Sequence, residues 1–140
     1  MQNKGDEVGK DFKSKFLSDA EVMKEQLNSV SPSMCLAKWK QVSLHLTTGK
    51  TNSCYHPPLH DIDVKPLTFH PGALHNTAEK KQARKQMLEG TRPEECSYCW
   101  NAEDNGQLSD RHYRSGEPWA ADSFKEIVDA PWDQDVIPSY

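Results

Sequence analysis

The sequence predicts a small α+β domain: a β-hairpin and a helix around a four-cysteine metal site, with irregular loops and tails. Residues 34–56 alternate between apolar and polar side chains before a glycine turn, which is typical of a hairpin. Residues 76–90 carry helix start and stop signals. The four cysteines form two groups, one flanking the hairpin and one following the helix. We divide the chain into a leader (1–33), a cysteine-containing domain (34–120) and an acidic tail (121–140).

Composition limits the size and the class of the protein. The chain has 140 residues, 35% of them hydrophobic, and a mean hydropathy of -0.86, which suits one small domain with polar tails. A formal net charge of -4 gives no support for nucleic-acid binding. No apolar run approaches the roughly 18 residues of a membrane span, and residues 1–10 lack the apolar stretch of a secretory signal. We therefore expect a cytoplasmic protein with no membrane partner.

The predicted hairpin consists of a strand, a turn and a return strand. Three apolar side chains alternate with polar neighbours, which predicts a strand with one buried face. They are Val42, Leu44 and Leu46. The turn falls at residues 47–50, where Gly49 can adopt a positive φ without steric cost. Residues 51–55 return as the partner strand.

Shorter segments surround these two elements. Ser18 to Leu27 predicts a lightly docked leader helix with Ser18 as its N-cap. Residues 57–75 contain four prolines and predict an irregular connector. Pro93 predicts the start of a second short helix, and Ser123 to Val128 a third.

The helix at residues 76–90 has the strongest local signals. Asn76 is a good N-cap, Glu79 lies three residues later, and Gly90 is a natural end. Four basic residues crowd this helix. They are Lys80, Lys81, Arg84 and Lys85. We expect a solvated basic face, and the alternative is contact with an anionic ligand or partner.

The four cysteines are expected to bind metal, because cytoplasmic thiols stay reduced. Cys35 and Cys54 flank the hairpin at similar distances from its turn, so their thiols can meet at the open end. Cys96 and Cys99 form a Cys-x-x-Cys pair that can face one site from a single turn. Two such pairs make a four-thiolate site, which suits Zn²⁺ or an iron–sulfur cluster.

Other interpretations of these residues remain open. The Cys-x-x-Cys pair alone would also suit a redox dithiol, and all four cysteines could be spare thiols. Several histidines could add ligands, with His112 the best placed in sequence. They are His56, His60, His70, His75 and His112.

The cysteine spacing resembles that of a known domain. Cys35-x13-Gly49-x4-Cys54, followed by Cys96-Ser97-Tyr98-Cys99, is similar to the Cys-x9-15-Gly-x4-Cys … Cys-x2-Cys pattern of the twitch domain. That domain is a shortened relative of the SPASM domain of radical S-adenosylmethionine (SAM) enzymes. Residues 84–100 and 108–114 also look like the family's helix and cluster turn. The resemblance covers about residues 34–120 and implies an auxiliary [4Fe–4S] cluster on the four cysteines.

The sequence departs from the radical SAM enzymes in one important respect. It lacks the Cys-x3-Cys-x2-Cys motif that binds their catalytic cluster, since position 92 is Arg92. The SAM-binding barrel is also missing, so the resemblance implies the leading portion of such a protein, truncated or supplied separately. We expect no SAM cleavage by this chain alone, and SAM binding only in a full-length or partner protein.

The resemblance implies an auxiliary domain for electron transfer or substrate positioning. Its partner would be a radical SAM barrel in cis or in trans, with a peptide or protein as one candidate substrate. A structural zinc domain for protein interaction is the alternative, and a regulatory fragment that binds a separate enzyme is the third hypothesis.

Overall fold

The computed structural model describes residues 18–140, and this part of the chain is α+β. A small three-stranded antiparallel sheet lies beside a hydrophobic core that is formed by the helices and the segments between them. The helices are α1 (18–30), α2 (Ala37–Lys40), α3 (Val64–Leu67), α4 (Ala78–Glu89), α5 (Ser97–Asp104), α6 (Asp110–Ser115), α7 (Pro118–Ala121) and α8 (Phe124–Asp129). The strands are β1 (Ser43–His45), β2 (Lys50–Asn52) and β3 (His60–Asp61). Two 3₁₀ turns cover Pro71–Leu74 and Glu94–Cys96.

The predicted hairpin is confirmed, but its predicted burial is wrong. β1 pairs with β2, and Gly49 in the turn has φ +65°. Leu44 is 40% exposed and Leu46 76% exposed, whereas Thr51 on β2 is fully buried. The reason is sheet order: β1 is an edge strand, and it is β2 that reaches α4, where Lys80 Nζ donates to Thr51 Oγ1 at 2.9 Å. Alternation along β1 does not show which strand the helix covers.

The connector at residues 57–75 is more regular than its prolines predict. It contains β3, α3 and a 3₁₀ turn, and β3 pairs with β2 through Thr51 and His60. The His60 ring also hydrogen-bonds the Thr77 hydroxyl at 2.7 Å, at the start of α4. A two-residue strand is too short to produce a periodic pattern, so only the pairing itself reveals it.

Helix α4 is confirmed, with its start displaced by one residue. Thr77, not Asn76, is the N-cap, and its hydroxyl accepts from the Lys80 N–H at 3.3 Å. Asn76 Oδ1 instead accepts from Arg84 Nη1 at 2.8 Å. Gly90 ends the helix in the left-handed region at φ +86°, as predicted.

One hydrophobic core joins the three segments into which the sequence was divided. From α1 it takes Met23 and Leu27, with Leu27 fully buried, so this helix is an integral part of the core. Phe16 and Leu17, two apolar residues that precede the predicted leader helix, lie outside the described residues. Ile127 of α8 belongs to the same core. Among residues 18–140, no helix is long and apolar enough to cross a membrane.

Candidate metal centre

All four cysteines line one cavity. The space between its atoms is about 430 Å³, part of which opens to solvent. Cys35, Cys96 and Cys99 are buried and Cys54 is half-buried, and all four are free thiols. Cys35 precedes α2 and Cys54 follows β2, so the open end of the hairpin meets the Cys-x-x-Cys pair, as the spacing predicts.

The Cys-x-x-Cys pair lies where a 3₁₀ turn continues into an α-helix. Cys96 ends a 3₁₀ turn that follows Pro93, and Cys99 lies in α5 immediately after it. Trp100 Nε1 donates to the Pro93 carbonyl at 2.8 Å, which ties α5 back to the start of this turn. Trp100 and Met87 are apolar parts of the cavity wall, so they exclude water from the sulfurs.

Hydrogen-bond donors accompany three of the four sulfurs. The Ser115 hydroxyl donates to Cys35 Sγ at 3.9 Å. The backbone of His56 hydrogen-bonds Cys54, and the backbone of Arg111 hydrogen-bonds Cys99. Donors to a sulfur favour its thiolate form and tune any metal bound to it.

Burial favours the protonated form of three of the four thiols, those of Cys54, Cys96 and Cys99. Burial raises the pKa of Cys96 and of Cys99 to about 12. Burial also raises the pKa of Cys54 above its ordinary 9.0, and Cys35 adds to the rise for all three because it lies close to them. Since the thiolate is the ligand, metal binding here must release protons.

Three basic residues line the cavity, and each forms an ion pair with a glutamate. Lys38, Arg111 and Arg114 line it, together with the carboxylate of Asp110. Each cation pairs with a glutamate that is not part of the wall. The pairs are Lys38 with Glu95 at 2.9 Å, Arg111 with Glu103 at 2.7 Å, and Arg114 with Glu117 at 3.6 Å. In each pair the cationic residue is part of the cavity wall and its glutamate lies outside the wall.

His56 is the one member of the five candidate histidines that lines the cavity. Its Nε2 is 2.5 Å from Asp110 Oδ2, and its ring stacks on Tyr98 with centroids 3.6 Å apart. Tyr98 is exposed, so this stack lies where the cavity approaches solvent, beside the half-buried Cys54. His112, the histidine favoured by sequence, is buried elsewhere and its Nδ1 accepts from the Ser109 N–H at 2.9 Å.

A second buried cationic group lies behind Lys38, and the sequence predicted it wrongly as a solvated face. Lys80 is 1% exposed and Arg84 0% exposed. Arg84 Nε donates to the Lys38 carbonyl at 3.1 Å, and its Nη2 lies 3.1 Å from His75 Nε2. These contacts of Arg84 fix the position of α2, the helix that joins Cys35 to the hairpin.

Neither a metal-ion grouping of side chains nor a similar known protein indicates the function of this cavity. Within residues 18–140, no three His, Cys, Asp or Glu side chains are grouped so as to hold one metal ion. No family model matches the sequence, and no curated protein or solved structure matches the chain. A function must therefore rest on the residues of the cavity itself.

Proposed function

We propose that Cys35, Cys54, Cys96 and Cys99 together hold one [4Fe–4S] cluster, and that the chain is an auxiliary cluster domain of a radical SAM protein. The observation that carries this proposal is the common cavity lined by all four cysteines. Its role would be electron transfer or substrate positioning beside a radical SAM barrel, present in cis or in trans. A peptide or protein substrate fits that setting.

The chemistry of the cavity fits a cluster. Four thiolates are the ordinary ligands of a [4Fe–4S] cluster. Four thiolates around iron and sulfide leave a net negative charge, which the three basic residues of the wall, Lys38, Arg111 and Arg114, would offset.

Each group of residues has a distinct part in this proposal. The four cysteines ligate, Trp100 and Met87 keep water out, and the cations stabilise the added negative charge. The cluster would supply one-electron transfer. Because four cysteines leave no ligand position free for SAM, we expect no SAM cleavage by this chain alone.

Anaerobic reconstitution with iron and sulfide tests the proposal. We expect about four iron and four sulfide per chain, from the four thiolates of one cluster. Cys99→Ala should lose most of the bound iron, while Ser53→Ala, a matched change in the same wall, should keep it.

One tightly held zinc without sulfide would overturn the cluster and establish the alternative, a structural zinc domain. That alternative rests on the same four-thiolate donor set, which zinc also accepts. Equal iron content in the Cys99→Ala and Ser53→Ala proteins would show that the cavity is not the binding site.

A further inference from the structure

The Lys38–Glu95 pair occupies a special position in the wall. Lys38 lies on α2, three residues after Cys35, and Glu95 directly precedes Cys96. The ion pair therefore links the two cysteine groups. Its Nζ–Oε1 distance is 2.9 Å, and the Lys38 side chain is 3% exposed against 24% for Glu95. The ammonium is thus a buried charge whose partner lies nearer to solvent.

The backbone of Lys38 is fixed as well. Its carbonyl accepts from Arg84 Nε at 3.1 Å, and its own N–H donates to the Cys35 carbonyl at 3.3 Å. A buried side chain anchored at both ends loses little further entropy on holding one position. Lys38 therefore holds a positive charge at a constant place beside Glu95, next to the Cys-x-x-Cys pair.

We propose that the Lys38–Glu95 pair sets the reduction potential of the cluster, Lys38 raising it and Glu95 lowering it. This inference rests on the proposed cluster. Reduction adds one negative charge, which a nearby cation favours and a nearby carboxylate opposes. Lys38 has the larger effect because it lines the cavity and is shielded from water, whereas Glu95 does neither.

Three variants measured by redox titration, with the cluster followed by electron paramagnetic resonance, test this inference. Lys38→Met should shift the midpoint potential by about 59 mV in the negative direction. This shift corresponds to a roughly tenfold smaller equilibrium constant for one-electron reduction. Glu95→Gln should shift it in the positive direction by less. The control Lys85→Gln, whose ammonium lies over the Trp132 ring and outside the wall, should leave it unchanged.

The opposite signs separate a potential-setting role from a structural one. Both variants break the same ion pair, so a purely structural pair would give losses of stability without opposed shifts in potential. Shifts of the same sign, or shifts no larger than that of Lys85→Gln, overturn the inference. If Lys38→Met does not fold, Glu95→Gln still decides, since a zero or negative shift contradicts the proposal.

The wild-type protein distinguishes the two levels of failure. If it binds no iron and sulfide, the proposed function and this inference both fail. If it binds a cluster whose potential does not respond to Lys38 and Glu95, the inference alone is overturned.

Discussion

Two groups of cationic side chains meet at Lys38, and they are stabilised in different ways. Around the cavity, Lys38, Arg111 and Arg114 each have a glutamate partner. Behind Lys38, the described hydrogen bonds of Lys80 and Arg84 go to hydroxyl, carbonyl, amide and imidazole groups. In the first group each cation has a carboxylate partner. In the second group the cations are removed from water and have only hydrogen bonds to neutral groups among the described contacts.

The pKa values follow this difference. Burial tends to lower the pKa of Lys38, but Cys96 and Glu95 together outweigh burial and raise it above 10.5. Burial lowers the pKa of Lys80 to about 7 and that of Arg84 to about 10. Burial and Arg84 lower the pKa of His75 to about 3, so this ring is neutral at pH 7. Lys38 therefore stays charged at neutral pH beside its anionic neighbours, whereas the buried Lys80 titrates near pH 7.

The largest effect is expected at the Arg111–Glu103 pair. Glu103→Gln leaves a guanidinium that is 2% exposed without its charge partner, which should destabilise the fold by about 3–5 kcal/mol. Urea unfolding of the metal-free protein measures this loss. A loss below about 1 kcal/mol would show that buried pairing is not what holds Arg111.

A pH-dependent effect of intermediate size is expected at Lys80. Its folded pKa of about 7 lies below the ordinary 10.5, so between these values the unfolded chain binds the proton that the folded chain does not. Stability should therefore rise with pH above 7, by up to about 1.4 kcal/mol per pH unit from this group. The measurement is the unfolding free energy of wild type minus that of Lys80→Met at pH 7, 8 and 9.

The matched control for Lys80 is its neighbour Lys81. The Lys81 ammonium pairs with Asp135 at 2.6 Å. The Lys81→Met protein keeps Lys80, so its unfolding free energy should rise with pH as that of the wild type does. If the unfolding free energies of Lys80→Met and Lys81→Met changed identically with pH, an ion pair with a carboxylate would make no difference to a lysine of α4.

The smallest effect is expected at Arg114–Glu117. The two side chains are 36% and 30% exposed and 3.6 Å apart, so solvent screens their attraction. Glu117→Gln should change the unfolding free energy by about 0–1 kcal/mol, and less in high salt. The amide keeps an acceptor for Trp119 Nε1, which donates to Glu117 at 2.5 Å. A loss as large as that of Glu103→Gln would mean that exposure does not rank these pairs.

Sequence reasoning succeeded where the signal is local. Gly49 and Gly90 were correctly placed because a positive φ is a property of one residue and its neighbours. The hairpin and α4 follow from spacing within about a dozen residues. The placement of all four cysteines at one cavity follows from two local features, the open end of a hairpin and a single helical turn.

Sequence reasoning failed where distant segments decide the outcome. Lys80 and Arg84 belong to a basic run that predicts a solvated face, and only the packing of α4 on β2 and α2 buries them. The pairing of the buried Arg111 with Glu103 involves no recognisable motif. The metal itself remains a prediction, because thiol ligands alone do not distinguish zinc from iron.

The exposed tip of the hairpin has a practical consequence. No heavy atom would lie within 4 Å of a Cβ added at Gly49, and the neighbouring Leu46 is 76% exposed. The tip is the end of the hairpin opposite Cys35 and Cys54. A fluorophore or an affinity handle attached at Leu46 would therefore leave the cysteines untouched. Such a handle would allow the domain to be immobilised or tracked in one known orientation.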